Sequence, residues 1–200
     1  RMNIKSLTGL AAVGVTLALA LSACAGSAPG TATSGPAATS GGGSYILGTT
    51  DTVTALDPAG AYDFASWNLQ YSMFQQLVVI PAGSDTEAPD AATSCAYDDA
   101  KTVTCKLQTG LKFSNGHELT SSDVKFSFER NLKINDPNGS SVLLGNISNG
   151  DAKAQALKDG AIETPDATTV VFHLNAADLT FIKVLTTATA SIVDEEVFPA

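Results

Sequence analysis

The stretch from Leu107 to Arg130, LQTGLKFSNGHELTSSDVKFSFER, constrains the fold of this chain more than any other, because twenty-four residues specify a strand end, a reversal and a capped helix. Leu107, Leu111 and Phe113 are the apolar residues of a short extended segment. Ser114-Asn115-Gly116 is turn chemistry, with Gly116 free to take positive φ. Thr120-Ser121-Ser122-Asp123 then reads as a capping box, a hydroxyl N-cap followed three places later by an acid. Behind it Val124, Ser127, Phe128, Asn131 and Leu132 share one helical face. Lys125, Glu129, Arg130 and Lys133 fall mostly elsewhere, and Phe126 is expected at the margin of the stripe.

The same residues resemble a known signature. Gly110-Leu111-Lys112-Phe113, Asn115-Gly116, Leu119-Thr120 and the run Asp123 to Arg130 are similar to the signature segment of the extracellular solute-binding proteins of family 5, the peptide-, dipeptide- and nickel-binding components of ABC importers. His117-Glu118 is the one departure, where the family commonly carries a small or hydroxyl residue first. The resemblance implies an α/β, periplasmic-binding-protein-like fold of type II, two-lobed, of which this chain carries part of the amino-terminal lobe with a mixed sheet, hairpins and packed helices. It also implies hinge closure on a ligand, ABC permease subunits as partners, a monomer at full length, and no cofactor.

The first 44 residues are of a different kind. Arg1 to Lys5 is a short basic region and Leu7 to Leu21 an apolar one, too short and interrupted for a comfortable membrane span. Leu21-Ser22-Ala23-Cys24 resembles the lipobox of bacterial lipoproteins, with a small residue at the cleavage edge and a thiol to be acylated. A plain secretory signal with a coincidental cysteine is the alternative. Residues 25–44 are almost entirely Ala, Gly, Ser, Thr and Pro, with nothing worth burying, so a flexible tether is expected. The organisation expected is therefore a lipoprotein signal over 1–23, lipidated Cys24 and tether over 24–44, and a solute-binding domain from 45 to 200, incomplete when set against the family. Without residues 1–23 the chain has nine basic and twenty acidic side chains, a net charge of −11, which argues against a nucleic-acid surface. The expected location is the outer face of the bacterial cytoplasmic membrane.

The domain opens with Tyr45-Ile46-Leu47-Gly48, read as a first strand, then Thr49-Thr50-Asp51 and Leu56-Asp57-Pro58. In the family the loop after this strand lies near the ligand cleft, so Thr50, Asp51 and Asp57 are candidate ligand neighbours; Asp57 before Pro58 also reads as a plain turn former. Tyr62 to Val79 is expected to be a helix running into a strand, with Asp63 as cap and Ala65, Leu69, Phe74, Leu77 and Val78 among its apolar positions. Trp67, Tyr71 and Met73 widen the apolar surface beyond one stripe. Trp67 is therefore either a core residue or a further ligand contact.

Pro81 to Pro89 reads as loop and Ala91 to Leu107 as a hairpin reversing at Asp98-Asp99-Ala100-Lys101. Cys95 and Cys105 stand symmetrically about Ala100, so they face each other on neighbouring strands, where Cα atoms lie about 4.5 to 5.5 Å apart. A structural disulfide is expected; a metal or redox pair lacks the C-x-x-C spacing and a neighbouring histidine. Asn135 to Gly139 should end the helix, and Leu143 to Gly150 reads as a polar connection. A second hairpin spans Ala161 to Leu174, with His173 on the face opposite Phe172, before a helix from Leu179 to Leu185 and a strand or helix end at Ala190 to Val193.

No catalytic pattern is present: the two histidines, His117 and His173, lie in no metal motif, and there is no G-x-S-x-G elbow or phosphate loop. The reading is a lipid-anchored binding protein that captures a ligand, peptide ranked first ahead of nickel complexes, opines and sugars, for an ABC importer. A surface receptor on the same fold and an exported hydrolase are the rival readings.

Overall fold

The computed structural model describes residues 46–199. The signal, Cys24 and the tether lie outside the described residues, as does Tyr45.

The centre of the domain is a four-stranded antiparallel sheet in the order β3-β4-β6-β5, built from two hairpins: β3 (Ala92–Asp99) with β4 (Thr102–Leu107), and β5 (Ile162–Asp166) with β6 (Thr169–His173). Strand parity decides which residues enter the core. In β4 the alternation buries Val103, Cys105 and Leu107, and in β6 Val170 and Phe172 are buried. A register irregularity between Ala92 and Ser94 resets the parity of β3, so that Cys95 and Tyr97, rather than Ser94 and Ala96, pack against the core. Cys95 pairs with Cys105 in the ladder, their Cα atoms 4.1 Å apart and their sulfurs joined.

The signature segment folds as its local chemistry dictates. A bridge between Lys112 and Glu118 closes the turn, and Gly116 has φ 96°. Helix α2 (Ser121–Ile134) follows, with Thr120 as N-cap. The Asp123 carboxylate accepts from the Thr120 backbone N–H at 2.9 Å and from its hydroxyl at 3.0 Å, which is the reciprocal arm of the capping box. Val124, Ser127, Phe128, Asn131 and Leu132 are all buried, and Phe126 sits half-buried beside them. Phe128 meets Phe172 edge-on at 5.4 Å, and Phe172 in turn meets Phe181 at 5.4 Å, which ties α2, β6 and the short helix over Phe181–Val184 into one core.

Several expectations need correction. Ile46 to Gly48 form no strand: no described neighbour offers them an edge, and Ile46 is 100 % exposed. Leu143 to Gly150 is not a simple polar connection, since Ser141–Ile147 is a 3₁₀ segment whose three-residue repeat points Leu144 and Ile147 inward, both fully buried. The loop over 81–89 closes with a strand, because β2 (Ala88–Pro89) pairs with β1 (Val78–Val79). The helix expected from Leu179 contracts to Phe181–Val184, since the Asp178 carboxylate accepts from the Thr180 backbone N–H at 2.7 Å and holds the entry as a turn. Of the two readings of Ala190 to Val193, the helix end is the one seen: residues 188–190 form a 3₁₀ turn that runs into irregular chain.

Arg130 is the largest departure. Periodicity sets it on the solvent side of α2, yet it is 5 % exposed. Its guanidinium donates to both Asp57 carboxylate oxygens at 2.8 and 2.6 Å, its Nε donates to the Pro199 carbonyl at 2.8 Å, and its plane lies 5.2 Å from the Phe198 ring centre. One side chain thereby fastens the loop before the helix α1 (Phe64–Met73), α2 and the last described residues. Gly139 lets that loop approach, since a side chain there would run into the Ala59 carbonyl.

Candidate functional site

Helix α1 (Phe64–Met73) is turned inside out, and this makes it the candidate site. Its N-cap Asp63 accepts from the Ser66 backbone N–H at 2.8 Å and from the Thr54 hydroxyl. The buried positions are Ala65, Ser66 and Gln70. Ser66 Oγ accepts from the Thr54 backbone N–H at 2.9 Å, while Gln70 Nε2 donates to the Ala55 and Asp57 carbonyls at 3.3 and 3.2 Å. The irregular chain over 54–57 has backbone groups that must be satisfied, and the polar side of α1 is what satisfies them.

The apolar side is left facing outward. Phe64, Trp67 and Tyr71 recur at i, i+3 and i+7, the spacing of one helical face, with Phe64 75 % and Tyr71 44 % exposed. Trp67 is half-buried; its indole N–H donates to the Ala61 carbonyl at 3.1 Å, and its ring lies 5.3 Å from Tyr62 and 6.3 Å from Tyr71. Tyr62, Trp67 and Tyr71 therefore form a continuous aromatic ladder beside the exposed Phe64.

Beyond the end of α1, Phe74 to Gln76 form a fixed ridge. Gln75 Nε2 donates to Asp90 at 3.0 Å, the Gln76 backbone N–H to the same carboxylate at 2.9 Å, and the Ile192 N–H to the Gln75 carbonyl at 2.9 Å. A groove of about 220 Å³ lies against Phe113, Asn115, Asp194 and Phe198, and one of about 760 Å³ against Tyr71, Val79, Ile80 and Asp90. Met73, Phe74 and Gln75 line both. Aromatic rings and amides on a fixed ridge, with a carboxylate in each groove, are the mix of apolar surface and a few polar groups that suits a binding surface.

The candidate residues separate. Trp67 is at the centre of the aromatic ladder. Thr50 and Asp51 are exposed, Asp51 N–H donates to its neighbour Thr49 Oγ1 at 3.1 Å, and among the described residues neither hydrogen-bonds to α1. Asp57 has a structural role: it caps the 3₁₀ turn Pro58–Gly60 through the Ala59 N–H at 3.0 Å and holds Arg130. The Arg130 hydrogen bonds keep its carboxyl below the usual carboxylate range against the opposing effect of burial, with the Ala59 N–H adding to the lowering. Phe64 and Tyr71 share the face of Trp67 at an i, i+3, i+7 spacing legible in the sequence, whereas Tyr62 precedes the helix and reaches Trp67 only through the fold.

Neither histidine hydrogen-bonds to a serine, threonine or cysteine side chain among the described residues; His117 lies by Asp194 and Glu196, and His173 by Glu163. Among the same residues no group of three or more His, Cys, Asp or Glu is arranged to hold a metal ion.

Comparison with known proteins places this geometry. Residues 86–199 match the family model described as bacterial extracellular solute-binding proteins, family 5 Middle. The chain is 32 % identical over 158 residues to the protein named Probable D,D-dipeptide-binding periplasmic protein DdpA of Escherichia coli K12, covering 76 % of this chain and 28 % of that one. It is 29 % identical over 194 residues to Heme-binding protein A of Haemophilus influenzae, covering 90 % of this chain and 34 % of that protein. Among solved structures, OppA of Burkholderia pseudomallei superposes with a TM-score of 0.66 at 22 % identity, over 72 % of this chain and 29 % of OppA. The α/β architecture is thus that of part of a two-lobed periplasmic binding protein, and the chain spans about a third or less of the length of these relatives.

Proposed function

The chain belongs to family 5 of the bacterial extracellular solute-binding proteins, and from that premise we propose that the protein captures a peptide outside the cytoplasmic membrane and delivers it to the permease subunits of an ABC importer. In this reading Cys24 carries the lipid anchor, residues 25–44 are the leash, and the protein performs no chemistry on its ligand. Binding favours the closed state because the ligand touches both lobes only there.

The observation that carries the proposal is the family match over 86–199 together with the relative DdpA, whose name says that it binds D,D-dipeptides. The outward aromatic ladder of α1 is the surface this part of the chain contributes, with Trp67 its central residue; Thr50 and Asp51 are proposed as further ligand contacts. Tryptophan and tyrosine are among the residues that dominate binding energy when covered. The test is titration of the full-length protein with a peptide panel, wild type against Trp67→Ala. Binding weakened by about tenfold or more in the variant is expected; unchanged affinity would remove α1 from the ligand surface, and absence of peptide binding in the wild type would remove the function.

Export also sets the redox state of the hairpin. We infer that Cys95 and Cys105 are oxidised in the exported protein, where the closed loop of eleven residues is worth about 2.5 to 3 kcal/mol in the chain-entropy account. Non-reducing peptide mapping should recover the two peptides joined; two free thiols would contradict the assignment.

A further inference from the structure

The departure of His117 from the signature pattern falls at a contact between distant parts of the chain. The Asp194 carboxylate, 4 % exposed, is reached from the signature turn by two groups: Asn115 Nδ2 donates to its Oδ2 at 2.6 Å, and His117 Nδ1 lies 2.8 Å from the same oxygen. Its Oδ1 accepts from the Glu196 backbone N–H at 2.9 Å. On the other edge of the imidazole, Nε2 lies 3.6 Å from Glu196 Oε2. The start of α2 holds the same segment, because Asp123 accepts from the Glu195 N–H at 3.2 Å and Ser122 Oγ donates to the Glu195 carboxylate at 2.7 Å.

The charged residues that line the cavity with the ring are all acidic. Glu118 on its own turn, Asp123 from α2, and Asp194, Glu195 and Glu196 from the facing segment line one cavity of about 400 Å³ with His117. The one cation on the same turn, Lys112, is not part of that lining; its Nζ lies 3.5 Å from the Gly116 carbonyl. A neutral imidazole carries a single N–H and can serve Asp194 or Glu196 but not both, whereas an imidazolium donates from both nitrogens.

We propose that His117 is a proton-operated latch that fastens the signature turn to residues 194–198 when protonated and slackens it when neutral. The parts it joins form two walls of one groove: the turn supplies Phe113 and Asn115, and the latched segment supplies Asp194, Val197 and Phe198, opposite the ridge at Phe74. The fit of that groove therefore stiffens as pH falls across the range, about pH 8 to 5, in which imidazoles change charge.

The test is hydrogen exchange of the full-length protein at pH 5.5 and pH 8.0, corrected for intrinsic exchange, read at the peptides covering 113–118 and 194–199. The exposed side of the latch limits its strength, so protection at pH 5.5 should exceed that at pH 8.0 by about two- to five-fold in both peptides. His117→Gln, which keeps a single donor, should hold both at the pH 8.0 level at either pH, and Glu196→Gln should remove most of the response while leaving the Asp194 contact. His173→Gln should respond as the wild type does. Equal wild-type protection at the two pH values, or a response that persists in His117→Gln, would overturn the latch.

Discussion

Phe172→Ala should cost this domain about 3 to 5 kcal/mol, the largest loss expected of any single substitution in the sheet. The side chain is fully buried on β6, paired with Val103 on one side and Ile162 on the other. Its ring is the link between Phe128 of α2 and Phe181. Truncation removes the transfer energy of the ring and also opens a cavity that cannot collapse, because the neighbours on both sides are strands held in register. The measurement is the urea midpoint with its slope: a fall in midpoint at unchanged slope is the expected result. Phe172→Leu should recover part of the loss by refilling the site. A loss below about 1 kcal/mol for the alanine variant would mean that the sheet does not depend on this ring.

Asp57→Ala should destabilise by about 3 kcal/mol, the lower end of the range for breaking a buried ion pair. The lower end applies because the two partners are unequal: Asp57 is 39 % exposed while Arg130 is 5 % exposed. Removing the carboxylate strands a buried guanidinium and also deletes the cap on the Ala59 N–H, so the damage exceeds that of a surface pair. Arg130→Lys tests the geometry separately, since an ammonium keeps the charge but loses the two-pronged contact with Asp57. The pH dependence has a definite sign. Asp57 has its folded carboxyl pKa depressed, chiefly by the Arg130 hydrogen bonds, so its contribution is complete above the unfolded carboxylate value of about 3.9 and is lost as pH falls through the lower folded value. The stability difference between wild type and Asp57→Ala should therefore be flat from pH 5 to pH 8 and shrink below about pH 4. A difference that grew on acidification would contradict the pairing.

These two positions also mark where sequence reasoning works and where it stops. The inward face of α2 was legible because Val124, Phe128 and Leu132 repeat at helical spacing behind a capping box, and both signals are local. The first hairpin was legible because Cys95 and Cys105 are symmetric about its turn. Arg130 was not, since its partner Asp57 lies 73 residues away and periodicity says nothing of a charge that a distant loop recruits into the interior. The same limit governs the site. The apolar residues of α1 were plain, but the helix could turn either side inward. The choice was made by unsatisfied backbone groups at Thr54 to Asp57, which claimed Ser66 and Gln70 and pushed Phe64, Trp67 and Tyr71 outward. Leu144 and Ile147 were hidden by Gly145, Asn146 and the polar residues after them, a composition that reads as loop even where a 3₁₀ repeat buries two side chains.

Solute capture is tested most directly by calorimetric titration of the intact, full-length protein with peptides, alongside nickel chelates and oligosaccharides, followed by its melting temperature in each. Saturable binding of a peptide is the expected result, with stabilisation by mass action of about 2.7 kcal/mol at a free ligand concentration one hundred times the Kd. An intact two-lobed protein that bound nothing in any of these classes and melted unchanged in their presence would contradict it.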